Sequence, residues 1–302
     1  MGVDAAALSP LGPRRAPRWK ECMMGMEAWE TALAEIAGSR LYYEGDLDID
    51  EGGAYIRRCT LEPELLIRLT RAASRLVVVD PPGGNVDFLE PVAGFVTALV
   101  TSGLNPEANR FVASFPRLQG LAAHGDVPPD AEIASRELRS FAGDGSDAWR
   151  RMLMPVASLR EVHLVGAEWA WFEEQSGSFS SVVMLDQRGR RSVPLLESLR
   201  GVRSLVVAGG TELDVSALGD MRDLTHLELG PIRSVVGLGS VGLGRLEMLI
   251  LESVRSVDVP DILTREFPED VCARPKSPFS PEVRDSPVAR SRDWSIGPVA
   301  KR

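Results

Sequence analysis

The chain has 302 residues, 44% of them hydrophobic, enough for one elongated domain or two compact ones. Its net charge of −9 is unevenly placed: residues 1–20 carry +3 and residues 273–302 carry +4, so removing both leaves −16 on the body between them. An acidic body repels phosphate backbones and disfavours nucleic acid as a partner, and no run approaches the roughly 18 uninterrupted apolar residues of a membrane helix.

The opening MGVDAAALSPLGPRRAP lacks the apolar core of a secretory signal, so a cytoplasmic location is expected. Cys22, Cys59 and Cys272 are odd in number and widely spaced, which fits reduced thiols rather than a disulfide framework or a metal knuckle. Arg greatly outnumbers Lys, a bias that points to a GC-rich bacterial source. Residues 1–22 are rich in Pro and Ala and are expected to be disordered. Residues 23–72 are expected to form an N-terminal cap. Within them MEAWETALAEIAGSR has helical periodicity through Trp29, Leu33 and Ile36, and LYYEGDLDI alternates as a half-exposed strand does. The acids Asp46, Asp48 and Asp50 mimic the start of a calcium loop. Glu51 stands where that loop needs Gly and Arg57 where it needs a bidentate Glu, so the capping strand is the better reading. Glu62, Pro63 and Glu64 then open a helix carrying Leu65, Leu66 and Leu69.

From Ala73 onward a seven-residue pattern recurs, clearest in LTHLELG at Leu224, VRSLVVA at Val202 and LEMLILE at Leu246. Its starts at Ala73, Phe95, Leu118, Leu138, Leu159, Phe179, Val202, Leu224 and Leu246 are separated by 22, 23, 20, 21, 20, 23, 22 and 22 residues. Between these starts, Asn105, Pro106 and Glu107 open one short connecting helix, and Ser146 with Asp147 opens another through Trp149, Met152 and Leu153. The later connectors, such as PIRSVVGLGSVGLG, are Gly-rich and are expected to be turns or 3₁₀ pieces. The formal G-x-G-x-x-G at Gly237–Gly242 precedes a segment in strand register rather than a helix, so its glycines are read as allowing tight turns. Residues 268–302 hold Pro, Ser and Arg without apolar periodicity and are expected to be a disordered basic tail.

A period of roughly 20–29 residues carrying L-x-x-L-x-L resembles the leucine-rich-repeat family, over about residues 73–267. The resemblance implies an α/β repeat solenoid: a horseshoe with a parallel concave sheet and short helices or turns on the convex side. The fourth and sixth places point inward, as Leu205 with Val207, Leu227 with Leu229 and Leu249 with Leu251. The family's ninth-place Asn or Cys is missing throughout, which makes this a divergent member.

The same frame puts His124, His163 and His226 on outward strand places. They lie roughly 10–15 Å apart by inter-strand spacing, too far to share one metal. Either all three are solvated polar residues, or His163 and His226 are part of a contact surface with Glu161, Ser181, Ser204, Glu228 and Met248, among the apolar outward residues Leu99, Val183, Val206 and Ile250. Trp169, in WAWFEEQ, is a candidate interface anchor or a filler of the convex layer. No HExxH, GxSxG, P-loop or Cys/His cluster appears, so no catalytic, cofactor or metal site is expected. The resemblance implies a non-enzymatic scaffold binding a protein partner on the concave face. Two alternatives stay open. One is an acidic inhibitor or immunity-type protein acting on a basic toxin or nuclease; the other is an enzyme on a compact α/β sheet.

Overall fold

A computed structural model describes residues 47–49, 53–57, 61, 63–72, 75–79, 81, 85–101, 114–127, 132–175, 178–242, 245–258, 270–274 and 295–296. The expected disordered segment 1–22, the helix over 26–40 and the Asn105–Pro106–Glu107 helix start lie outside these residues.

Strand β1 (Leu47–Ile49) pairs antiparallel with β2 (Gly53–Arg57), and from β2 on every pairing is parallel. The series runs through β3 (Arg75–Val79), β4 (Val96–Thr101), β5 (Gly120–Ala123), β6 (Ser140–Asp144), β7 (Glu161–Val165) and β8 (Ser181–Gln187). It continues through β10 (Ser204–Gly209), β12 (His226–Leu229), β14 (Met248–Glu252), β16 (Asp270–Arg274) and β17 (Ser295–Ile296), giving one 13-stranded sheet in that order. The protein is thus a parallel repeat solenoid. A single five-residue strand has no means of burying its apolar side; stacked neighbours bury it collectively. Leu205, Leu227 and Leu249 are register partners, as are Val207, Leu229 and Leu251, and all six lie in the main core. The first-place residues, from Leu118 and Leu138 to Leu224 and Leu246, join them there.

On the core side of the sheet the connectors change character along the chain. Helix α1 (Pro63–Ala72) begins where the Glu-Pro-Glu signal predicts and buries Leu66 and Leu69. Helix α2 (Asp147–Leu153) is capped by Ser146, whose Oγ accepts from the Trp149 N–H at 3.4 Å, and it buries Trp149, Met152 and Leu153. 3₁₀ segments already occur at Asp87–Phe95 and Trp169–Phe172, and from β8 onward, at Glu197–Leu199, Ser216–Asp220 and Leu238–Ser240, they are the only helical pieces among the described residues, as expected of these connectors. Each of these units also adds a short strand: β9 (Arg190–Ser192), β11 (Glu212–Asp214), β13 (Ser234–Val236) and β15 (Ser256–Val257). They form a second parallel sheet whose Leu213 and Val235 face the same core.

Three boundaries differ from expectation. The capping region 23–72 contains a repeat strand, since β2 pairs Gly53 with Arg75 one 22-residue step away and sends Ala54 and Ile56 into the core. The tail expected to be disordered from 268 contains β16 and β17. Val271 and Ala273 pair with Leu249 and Leu251 and extend the core by small side chains that a leucine pattern overlooks. In β4 the frame is one residue late. A register shift after Leu76 puts Leu99 inside the core, so it is not an outward residue.

The missing ninth-place Asn is replaced at one rung. Gln187 Nε2 donates to the Ala167 carbonyl at 2.9 Å. The turn out of the strand depends more on the eighth place, where Gly125, Gly166 and Gly209 have positive φ. At Gly209 a Cβ would lie 2.6 Å from the Gln187 carbonyl oxygen, backbone that has no room to yield. Gly209→Ala should therefore cost about 1–3 kcal/mol of unfolding free energy, and Leu227→Ala about 2–5 kcal/mol through the cavity it leaves. Arg188→Glu, on an exposed turn, should stay within about 0.5 kcal/mol of the parent. Urea titrations of the three variants check this, and a neutral Leu227→Ala would refute the inward frame.

Candidate functional site

Strand residues alternate between the two faces, so the places between the inward leucines form rows across the outer face of the main sheet. The third places are in register: Ser140, Glu161, Ser181, Ser204, His226 and Met248 are successive partners on β6, β7, β8, β10, β12 and β14. Five of the eight residues singled out from the sequence, Glu161, Ser181, Ser204, His226 and Met248, thus fall in one continuous row, and all five are half-buried. At about 4.8 Å per strand the row is roughly 19 Å long. It grades from a carboxylate at Glu161, through two hydroxyls, to a thioether at Met248 with half-buried Ile250 beside it. His226 is held in place: its Nδ1 lies 2.8 Å from the Thr225 hydroxyl and its Nε2 3.8 Å from Glu247. The Ser204 Oγ is enclosed and makes no hydrogen bond.

The other three expected residues are placed differently. His163 and Glu228 sit one pleat further along, on the outer face as the frame requires, but they are 8% and 2% exposed. Neither is an open contact residue. Trp169 lies in a 3₁₀ turn (Trp169–Phe172) and joins the main core beside Trp171, Phe172 and Phe179, its ring centre 6.0 Å from that of Phe172. It fills the solenoid and is not an exposed anchor.

His124 is apart from the row. Its Nδ1 lies 3.0 Å from Asp144 Oδ1, while Asp144 Oδ2 accepts the Gly125 N–H at 2.8 Å, which ties two successive strand ends together. The glycine-rich GLGSVG opens only the three-residue 3₁₀ turn at Leu238, which has no helix N-terminus for a pyrophosphate. Gly237 has φ of 76°, and a Cβ there would strike the Ser216 hydroxyl beneath it. Among the described residues no three His, Cys, Asp or Glu side chains are grouped as a metal site, and no helix is long and apolar enough to cross a membrane.

Burial sets the chemistry of His163. Its register partners are Ala142 and Val183, which offer methyl groups on both sides. Desolvation lowers its pKa from 6.5 to about 4, so the folded protein holds it neutral. The unfolded chain binds a proton in this window and the folded chain does not, so stability is complete above about pH 6.5 and falls as pH drops toward 4. At about pH 4.5 the loss from this one group should be about 2–3 kcal/mol. Urea unfolding of the parent and of His163→Gln at pH 7 and 4.5 tests it: the variant should lack that share of the loss. Equal losses in both proteins would contradict the assignment.

No family model matches the chain, and no curated protein matches it. Among solved structures it is similar to a plant peptide hormone receptor, RGFR1, in complex with RGF2, at 14% identity over 85% of this chain and 52% of that one, with a TM-score of 0.41. The chain therefore spans about half the length of that receptor.

Proposed function

We propose that the chain is a non-enzymatic, cytoplasmic binding module, a divergent relative of the leucine-rich-repeat proteins, that holds a protein partner along the third-place row. The observation that carries this reading is the row itself. Side chains from five strands, far apart in sequence, align half-exposed on the outer side of a sheet whose other side is filled by core. A stacked sheet is rigid, so such a row is ordered before any partner arrives and loses little side-chain freedom on binding. It offers a carboxylate, hydroxyls, an imidazole and, at Met248 and Ile250, an apolar end, the mixture that protein contact surfaces use.

The test is affinity capture from an extract of the source cells, with the parent chain, Ser204→Arg, His226→Glu and the off-row control Arg188→Glu as baits. A partner kept by the parent and by Arg188→Glu should fall about tenfold or more with each row variant, while thermal midpoints stay close to the parent's. A partner retained equally by both row variants would remove the row from the interface.

A further inference from the structure

The backbone bonds that hold the strands in step also align the residues just before them. In the second place of successive units stand Arg139, Arg160, Ser180, Arg203, Thr225 and Glu247, and the N–H of each after the first donates to the carbonyl of the one before at 2.8–2.9 Å. They form a row of their own, one strand spacing apart, beside the third-place row and along the edge where the chain enters the main sheet. Arg139, Arg160 and Arg203 are exposed. Arg139 and Arg160 precede adjacent strands, and like charges set side by side in this way repel. Among the described residues none of the three forms an ion pair, whereas Arg188, Arg190, Arg191 and Arg200 each have one. The nearby acids are engaged elsewhere: Glu137 accepts from Gln119 Nε2 at 3.2 Å, and Glu247 faces His226 Nε2 at 3.8 Å. Arg160 Nη1 donates to the carbonyls of Ala157 and Leu159 at 2.8 and 2.9 Å, which anchors that guanidinium and leaves its outer N–H groups available. On a body carrying −16, such a run of unneutralised arginines stands out.

We infer that this arginine row docks an acidic, extended segment of the protein partner, one with carboxylates at alternate positions. That the occupant is a protein rests on the binding function proposed above; its acidity is argued from the row. Guanidinium groups bind carboxylates through paired N–H donors, and a carboxylate seated between Arg139 and Arg160 removes their mutual repulsion. The spacing agrees. From Arg139, the backbones at Arg160 and Arg203 lie about 5 and 14 Å along the row, one and three strand steps away. In an extended segment, acids two and four residues from the first lie about 7 and 14 Å along it and on the same side, a mismatch that a long arginine side chain absorbs. The rest of the body supplies selectivity, because an acidic segment is repelled wherever the surface is acidic and is held where the arginines stand. A nucleic acid, charged at every unit, meets that repulsion along its whole length and is the poorer fit.

The experiment titrates the purified full chain into a short labelled peptide of alternating Ser and Glu and reads fluorescence anisotropy at about 0.1 M salt, where charges more than about 10 Å away are screened. The parent should bind the peptide, and Arg139→Glu with Arg160→Glu and Arg203→Glu should weaken it about tenfold or more. A charge-matched control at exposed arginines off the row, Arg151→Glu with Arg233→Glu and Arg255→Glu, should stay within about threefold of the parent, with thermal midpoints of both triple variants close to the parent's. Arg139→Gln with Arg203→Gln, which adds no new charge, should weaken the peptide in the same direction. Peptides with Gln or Lys in place of Glu should not bind. Equal weakening in both triple variants, tighter binding of the Lys peptide or of an oligothymidylate than of the Glu peptide, or no binding of the Glu peptide by the parent would overturn the inference. Ser204 and His226 are unchanged in these proteins, so failure of the arginine row and failure of the third-place row in the capture experiment are separate results.

Discussion

The whole structure rests on the inability of a short strand to bury its own inner side. Each repeat contributes a few inward residues, about 1.5–3 kcal/mol apiece if fully enclosed, but only the units before and after it enclose them. Stacking in parallel and largely in register is what turns separate leucines into one core from Ala54 to Ala273. The spacing of 20–23 residues follows: it is the length needed to leave a strand, cross the core side and return one place along.

Everything on the outer face inherits that constraint. Because the inward places are held in register, the third places are too, and residues as distant as Glu161 and Met248 come to share a row. The backbone reinforces the step at each rung. Arg139 O accepts the N–H groups of both Arg160 and Glu161, and Arg203 O those of Thr225 and His226. A row held this way has little freedom to adjust.

From Leu118 to Leu246 the strand positions were legible because large apolar residues stand at the first and fourth places of nearly every unit. Elsewhere the physics was present but the signal was not. In β2 and β16 the inward places include Ala54 and Ala273, which pack as well as leucine in a narrow end but do not stand out. The second sheet escaped because three-residue strands such as Glu212–Asp214 turn only one side chain inward, and a period of two is unreadable in one instance. A signal that was available was the eighth-place glycine column, at Gly125, Gly145, Gly166 and Gly209. The outward direction of His163 and Glu228 was correct, but their burial depends on neighbours brought in from other parts of the chain, which no local pattern encodes. For Trp169 the sequence leaves both readings open, since tryptophan fills thick layers as readily as it anchors interfaces, and its burial in the core decides for the filler.

The most direct test of the stacked arrangement is a set of spin-label distances measured from position 270. Labels at Asp270→Cys paired in turn with Glu161→Cys, Ser181→Cys and Ser204→Cys lie five, four and three strand steps away. In a background with the native cysteines changed to serine, backbone separations of about 24, 19 and 14 Å are predicted, one strand spacing between each. Separations that fail to shorten in equal steps, or that place position 204 farther from 270 than position 161, would contradict the parallel rack and the proposed contact row built on it.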